Sequence, residues 1–120
     1  MPINRKVMGV SRTKVYTGAL SGTSTIATGS NPLCICISTN GASVYAANQS
    51  SNTVSIFTRN TSTGALSGTS TIATGSNPQG ICISADGISV YAVNQMSDTV
   101  SIFTRNTSTG ALSGTSTIAT

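Results

Sequence analysis

Two Asn-Gln pairs, Asn48-Gln49 and Asn94-Gln95, hold the most site-like positions of this chain, and Arg59 and Arg105 come next. Each Asn-Gln pair stands where an apolar run passes into a polar loop. Its amides could line the rim of a ligand site, or they could cap the turn. Arg59 and Arg105 close equivalent β-branched runs. They could bind acidic groups in a ring of copies, or be solvated or paired locally. Cys34 and Cys36 are two residues apart, so they share one side of a strand and are poorly placed to bridge each other. With Cys82 the thiols number three, and with no His present a zinc site lacks ligands. Small buried thiols between Ile35, Ile37, Ile81 and Ile83 are the expectation.

Acid-base chemistry finds little to work with. The chain has no His and no Glu, and Asp86 and Asp98 are its only acidic side chains. Both Asp residues fall in expected loops, so no acid/base pair can be assembled within one copy. Ser and Thr make up 40 of the 120 residues but have no evident base to activate them. Thr-Gly-Ala-Leu-Ser-Gly lacks the Lys and the following helix of a phosphate loop. The residues therefore predict a non-enzyme without catalytic residues, metal or cofactor. Asn48, Asn94, Arg59 and Arg105 remain as candidate ligand or rim contacts.

The net charge of +4 is a local property. Arg5, Lys6, Arg12 and Lys14 supply it, because Asp86 and Asp98 balance Arg59 and Arg105. Four cations without interleaved aromatics disfavour nucleic acid as a partner. No apolar run approaches the roughly 20 residues of a membrane span, and the first residues lack the apolar core of a secretion signal. Asn48-Gln49-Ser50, Asn60-Thr61-Ser62 and Asn106-Thr107-Ser108 match the glycosylation pattern, as chance readily allows in so Ser/Thr-rich a chain.

The elements that must hold these side chains follow from an internal repeat. Thr17-Gly18-Ala19-Leu20 returns at Thr63 and at Thr109, a step of 46 positions. Residues 31 to 74 laid on 77 to 120 agree at 36 of 44 pairs. A unit of this size cannot bury its own apolar faces, so it stacks on copies of itself. In the second repeat, Gly80-Ile81-Cys82-Ile83-Ser84 reads as strand A, and Asp86-Gly87 (Asn40-Gly41 in the first repeat) as a tight hairpin turn. Ile88 to Asn94 reads as strand B, Thr99 to Arg105 as strand C and Ala111 to Ala119 as a weaker outer strand D. Gly75-Ser76-Asn77-Pro78 breaks the chain before strand A.

Four antiparallel strands per repeat predict an all-β fold built of β-propeller blades, each apolar on both faces because each packs between neighbours. Val44 and Ala46 are expected on one face, Tyr45 and Ala47 on the other. Residues 1–16 form an irregular basic segment with a possible strand, 17–30 a half-blade carrying strand D, 31–76 blade 1 and 77–120 blade 2. A solenoid of parallel strands is the weaker alternative, since it lacks regular hairpin turns.

Asn77-Pro78, Ile81 to Gly87, Val90-Tyr91-Ala92-Val93-Asn94, Asp98 to Phe103 and Thr109 to Leu112, with their counterparts in the first repeat, resemble the repeat of the YVTN and lactonase-like seven-bladed propellers. That resemblance implies the fold, and for lactonase-type members a hydrolase with charged or titratable groups at the central opening. Two and a half blades leave the ring incomplete in one chain. The leading expectation is therefore a non-catalytic scaffold whose partner is itself, a homo-oligomer with a trimer as first guess, serving binding or assembly toward protein or glycan ligands. The alternatives are an open filament of blades and a lactonase-like hydrolase with a site formed across subunits.

Overall fold

The computed structural model describes residues 20–120. Residues 1–19, with the basic segment, its possible strand and the start of the half-blade, lie outside the described residues. Eight strands follow in chain order. They are β1 (Pro32–Ile37), β2 (Ser43–Asn48), β3 (Thr53–Arg59) and β4 (Leu66–Ala73), then β5 (Pro78–Ile83), β6 (Ser89–Asn94), β7 (Thr99–Arg105) and β8 (Leu112–Ala119). They form two four-stranded antiparallel sheets, ordered β1-β2-β3-β4 and β5-β6-β7-β8, each a meander confined to one repeat. All eight expected strands of the two blades form.

Register assigns the faces. Tyr45 pairs with Ile56 and with Cys36, and Ala47 with Val54 and Cys34, so these six residues share one face of blade 1. Val44 pairs with Phe57 on the opposite face, as does Ala46 with Ser55. Blade 1 lays its Tyr45 face on the face of blade 2 that carries Ile81, Val90, Ala92, Phe103 and Leu112. This seam is the main apolar core. Every residue of β2 is buried, whereas in β6 only alternate residues are, because the Tyr91 face of blade 2 has no blade against it among the described residues.

The connections reflect the same economy of residue types. The expected Asn-Gly and Asp-Gly turns are longer than two residues: Gly41 N–H donates to the Ser38 carbonyl, Ser38 N–H to that of Ser43. Only Gly41 and Gly87, not the preceding Asn40 or Asp86, take positive φ. The Asn40 side chain accepts from Ala42 N–H and the Ser38 hydroxyl, and Asp86 repeats both bonds with Ile88 and Ser84. Left-handed backbone also recurs at Asn31, Asn77, Asn52 and Asp98, where a short polar side chain tolerates it.

No strand forms between Leu20 and Gly29, where strand D of a half-blade is expected. A strand needs a neighbour to bond, and the possible strand before it falls in residues 1–16, outside the described ones. Ile26 nonetheless packs, with Leu66, on the cluster of Val44, Ala46 and Phe57. Gly29 N–H and Ser30 N–H bond the Ser55 and Ser51 hydroxyls, as Gly75 and Ser76 bond Ser101 and Ser97.

Candidate functional site

The residues singled out for binding divide between the seam and the loop end of the blades. Asn48 and Asn94 are fully buried, so neither offers surface to a rim. The Asn48 amide nitrogen donates to the Thr53 and Ser55 hydroxyls at 3.1 and 2.8 Å. Asn94 repeats this on Thr99 and Ser101 at 3.1 and 2.9 Å. Their role is to tie strand B to strand C beneath Gly29 and Gly75, whose places leave no room for a Cβ against the two amides. Both amide oxygens lack a partner among the described residues.

Arg105 is not a solvated rim cation either. It is 4% exposed and lies in the seam. Its Nε donates to the Tyr45 hydroxyl at 2.8 Å, Nη2 to the Ser43 hydroxyl at 3.0 Å and Nη1 to the Gly87 carbonyl at 3.0 Å. Tyr45 in turn donates to the Gly110 carbonyl at 2.6 Å. A guanidinium with no carboxylate partner is tolerable in a core when neutral oxygens engage its donors, and these three take one N–H on each of its nitrogens. Gly110 is required here: a Cβ would lie 2.2 Å from Ser43 Oγ. Arg59, its repeat counterpart, keeps the bond to Gly41 O at 3.0 Å and has no seam partner among the described residues.

Exposed and half-buried amides gather at the opposite end, where linker and B–C loop meet. Asn77 donates to Gln95 Oε1 at 2.9 Å and Gln79 to the same oxygen at 2.8 Å. Asn31 donates to Gln49 in the first blade. The Asn52 side chain accepts from Asn77 N–H at 2.8 Å, stitching one blade to the next at this end. Recurrence of Asn-Pro and Asn-Gln at the repeat step was the available signal for this row. The pairing itself depends on bringing residues 18 apart together, which no local pattern reports.

The thiols also depart from expectation. All three are free; Cys34 and Cys36 are half-buried on the seam side of β1, while Cys82 is exposed on the open face of blade 2. Burial pushes the Cys36 thiol up to about 11, with Cys34 and then Cys82 adding to the shift. Asp86 is held below the usual carboxylate range by the Ser84 hydroxyl and then Ile88 N–H. It sits at one end of β6 and Asp98 at the other, about 20 Å apart by strand rise, so the two do not form a catalytic pair.

Comparison with known proteins sets this geometry in a family. The model of the lactonase, 7-bladed β-propeller family matches residues 5–74 and again 34–119. A candidate 6-phosphogluconolactonase from Bacteroides fragilis superposes with a TM-score of 0.76 at 25% identity, over 83% of this chain and 30% of that one. A protein of unknown function from Desulfotomaculum acetoxidans gives 0.71 at 27% identity, over 83% and 31%. The periplasmic gluconolactonase of Pseudomonas aeruginosa gives 0.68 at 21% identity, over 72% and 25%, a likeness of fold. The chain thus spans under a third of the length of these structures. Among curated proteins none matches.

These findings overturn the expectation of a non-enzyme, because both the family and a structural neighbour carry the name of a hydrolase. That expectation took stock of one copy, whereas a propeller site draws its groups from the strand and loop ends of several blades. Matched over both of its blades by one family model, the chain belongs to the lactonase seven-bladed β-propeller family.

Proposed function

We propose that this chain supplies blades to a lactonase-like hydrolase whose site is shared between subunits and opens a sugar-derived lactone with water. The observation that carries the proposal is the family match across both repeats, at 5–74 and 34–119. Ring opening needs a base to take a proton from water and donors to receive charge on the carbonyl oxygen. Within one blade Asp86 and Asp98 are too far apart to cooperate. A shared site brings groups from different blades together and removes that obstacle.

In this reading the chain's own part is substrate binding. Asn31, Gln49, Asn77, Gln79 and Gln95 offer uncharged donors and acceptors at the linker end, suited to the hydroxyls of a polyol lactone. The test is ring opening of glucono-δ-lactone and its 6-phosphate by the assembled protein, followed as acid release against the spontaneous rate. Acceleration that saturates with lactone concentration is expected. A rate equal to the uncatalysed one at saturating lactone overturns the proposal.

A further inference from the structure

The seam between blades 1 and 2 has two halves, and the chain carries each half a second time with no complement among the described residues. The half on blade 1 is Ser43 and Tyr45, repeated on blade 2 as Ser89 and Tyr91. The half on blade 2 is Arg105 and the Gly110 carbonyl, repeated on blade 1 as Arg59 and Gly64. Exposure marks the difference: Tyr45 is 0% exposed and Tyr91 37%, while Ile81 is 8% exposed and its counterpart Ile35 65%. We propose that a second copy of this chain docks head to tail here. The Tyr91 face of one copy's blade 2 covers the Ile35 face of the other's blade 1.

Four hydrogen bonds follow from the internal seam. Arg59 of the incoming copy donates Nε to the Tyr91 hydroxyl and Nη2 to the Ser89 hydroxyl. Tyr91 donates to the Gly64 carbonyl. Asp98 accepts from the Asn31 N–H, as Asn52 accepts from Asn77 N–H within the chain. The last tie carries a negative charge where the internal seam has a neutral amide, so it is the stronger bond.

A paired substitution between the repeats keeps the open face of blade 2 close in volume to the seam face of blade 1. Cys34 faces Ala47 across the strands of blade 1, and Gly80 faces Val93 in blade 2. The side chain lost at one position is offset by the methyl groups gained at its partner. A Cβ on Gly80 would meet Val93 Cγ1 at 3.2 Å, so the two changes are coupled. The open face of blade 2 thus keeps a surface similar to the Cys34–Ala47 face of blade 1, which packs in the internal seam.

One segment stands in the way, and its sequence resolves the conflict. Ile26 occupies, over blade 1, the place that Ile72 holds against the core of the seam. An incoming β8 brings Ile118 to that same place. Leu20–Thr28 and Leu112–Thr120 are the identical nonapeptide LSGTSTIAT. Docking therefore exchanges one copy of the nonapeptide for another and adds the Arg59–Tyr91 ties and the cover over Ile35. Because the interface is heterologous, it propagates into a closed ring or an open array.

Sedimentation equilibrium of the full chain tests this across nanomolar to micromolar concentration. Association to multiples of the 12.0 kDa chain is expected. Arg59→Met and Tyr91→Phe each weaken it roughly 10-fold or more, from loss of a bond to a charged group. Ile26→Ser, which loosens the displaced segment, tightens it. A second measurement does not depend on these variants: Ser89→Cys and Gly64→Cys chains, mixed and mildly oxidised, should give a 64–89 crosslink identified by peptide mass. Ser43 Cβ lies 3.2 Å from the Cβ position at Gly110, within reach for a disulfide after slight relaxation. A 12.0 kDa monomer throughout, association unaffected by both seam variants, or no 64–89 crosslink overturns the proposal. Loss of lactone turnover alone does not bear on it.

Discussion

Alanine at Gly110 and at Gly64 separates backbone strain from seam packing. The two glycines hold the same turn position with φ of 79° and 81°, so an added Cβ strains both by the same amount, about 1–2 kcal/mol. Their surroundings differ. At Gly110 the new Cβ would lie 2.2 Å from Ser43 Oγ, 3.2 Å from Ser43 Cβ and 3.4 Å from Tyr45 Oη; at Gly64 it meets only Arg59 Nη2 at 3.8 Å. Ser43 can relieve the clash by turning its hydroxyl away, but that forfeits the bond from Arg105. Overpacking costs about 1–3 kcal/mol and loss of a bond to a buried charge about 1.5–3 kcal/mol, so Gly110→Ala should exceed Gly64→Ala by about 2.5–6 kcal/mol. Urea unfolding at concentrations where the chain is dispersed measures both variants, with equal slopes confirming that the same structure unfolds. Equal losses within about 0.5 kcal/mol would refute the seam as drawn, since strain alone would then account for both.

Three further outcomes follow from the same contacts. Tyr45→Phe leaves Arg105 Nε without its acceptor and should lower stability by about 2 kcal/mol in urea unfolding, against about 0.5 kcal/mol or less for Tyr91→Phe in the dispersed chain. Asp86→Asn should leave stability at pH 7 unchanged in urea unfolding, because Asn40 already makes the same two bonds in the first repeat. Since the lowered Asp86 value contributes stability that is present above the unfolded value and lost as pH falls, the variant should also unfold less steeply in acid. Cys36, raised from 9.0 to about 11, holds its proton more tightly folded than unfolded, so its contribution is complete below pH 9 and fades toward pH 11. In alkylation followed by peptide mass at pH 8, Cys82 should therefore react well ahead of Cys36.

What the sequence disclosed follows from its repeat. The apolar run of Ser43–Asn48 after its turn and the alternating faces of Thr53–Arg59 announced strands, and the faces followed because a strand's side chains alternate whatever it packs against. Val44 and Ala46 do lie opposite Tyr45 and Ala47. The fate of the polar residues was hidden, since it depends on contacts about 60 positions apart. Arg105 meets Tyr45 and Ser43 only once blade 2 lies on blade 1, and nothing near Arg105 in sequence separates it from Arg59. Asn94 reads as a loop amide yet is buried, because the strand turns only after it and Gly75 closes over it. The catalytic expectation failed for a related reason: the residue inventory of under a third of a ring says little about sites that several blades build together.

Specific activity measured against protein concentration tests the shared-site account most directly. Lactone ring opening per chain, corrected for the spontaneous rate, should rise with concentration in step with the sedimented mass, and Arg59→Met should depress both together. Turnover per chain that stays constant from the dispersed to the assembled range would contradict a site formed across copies.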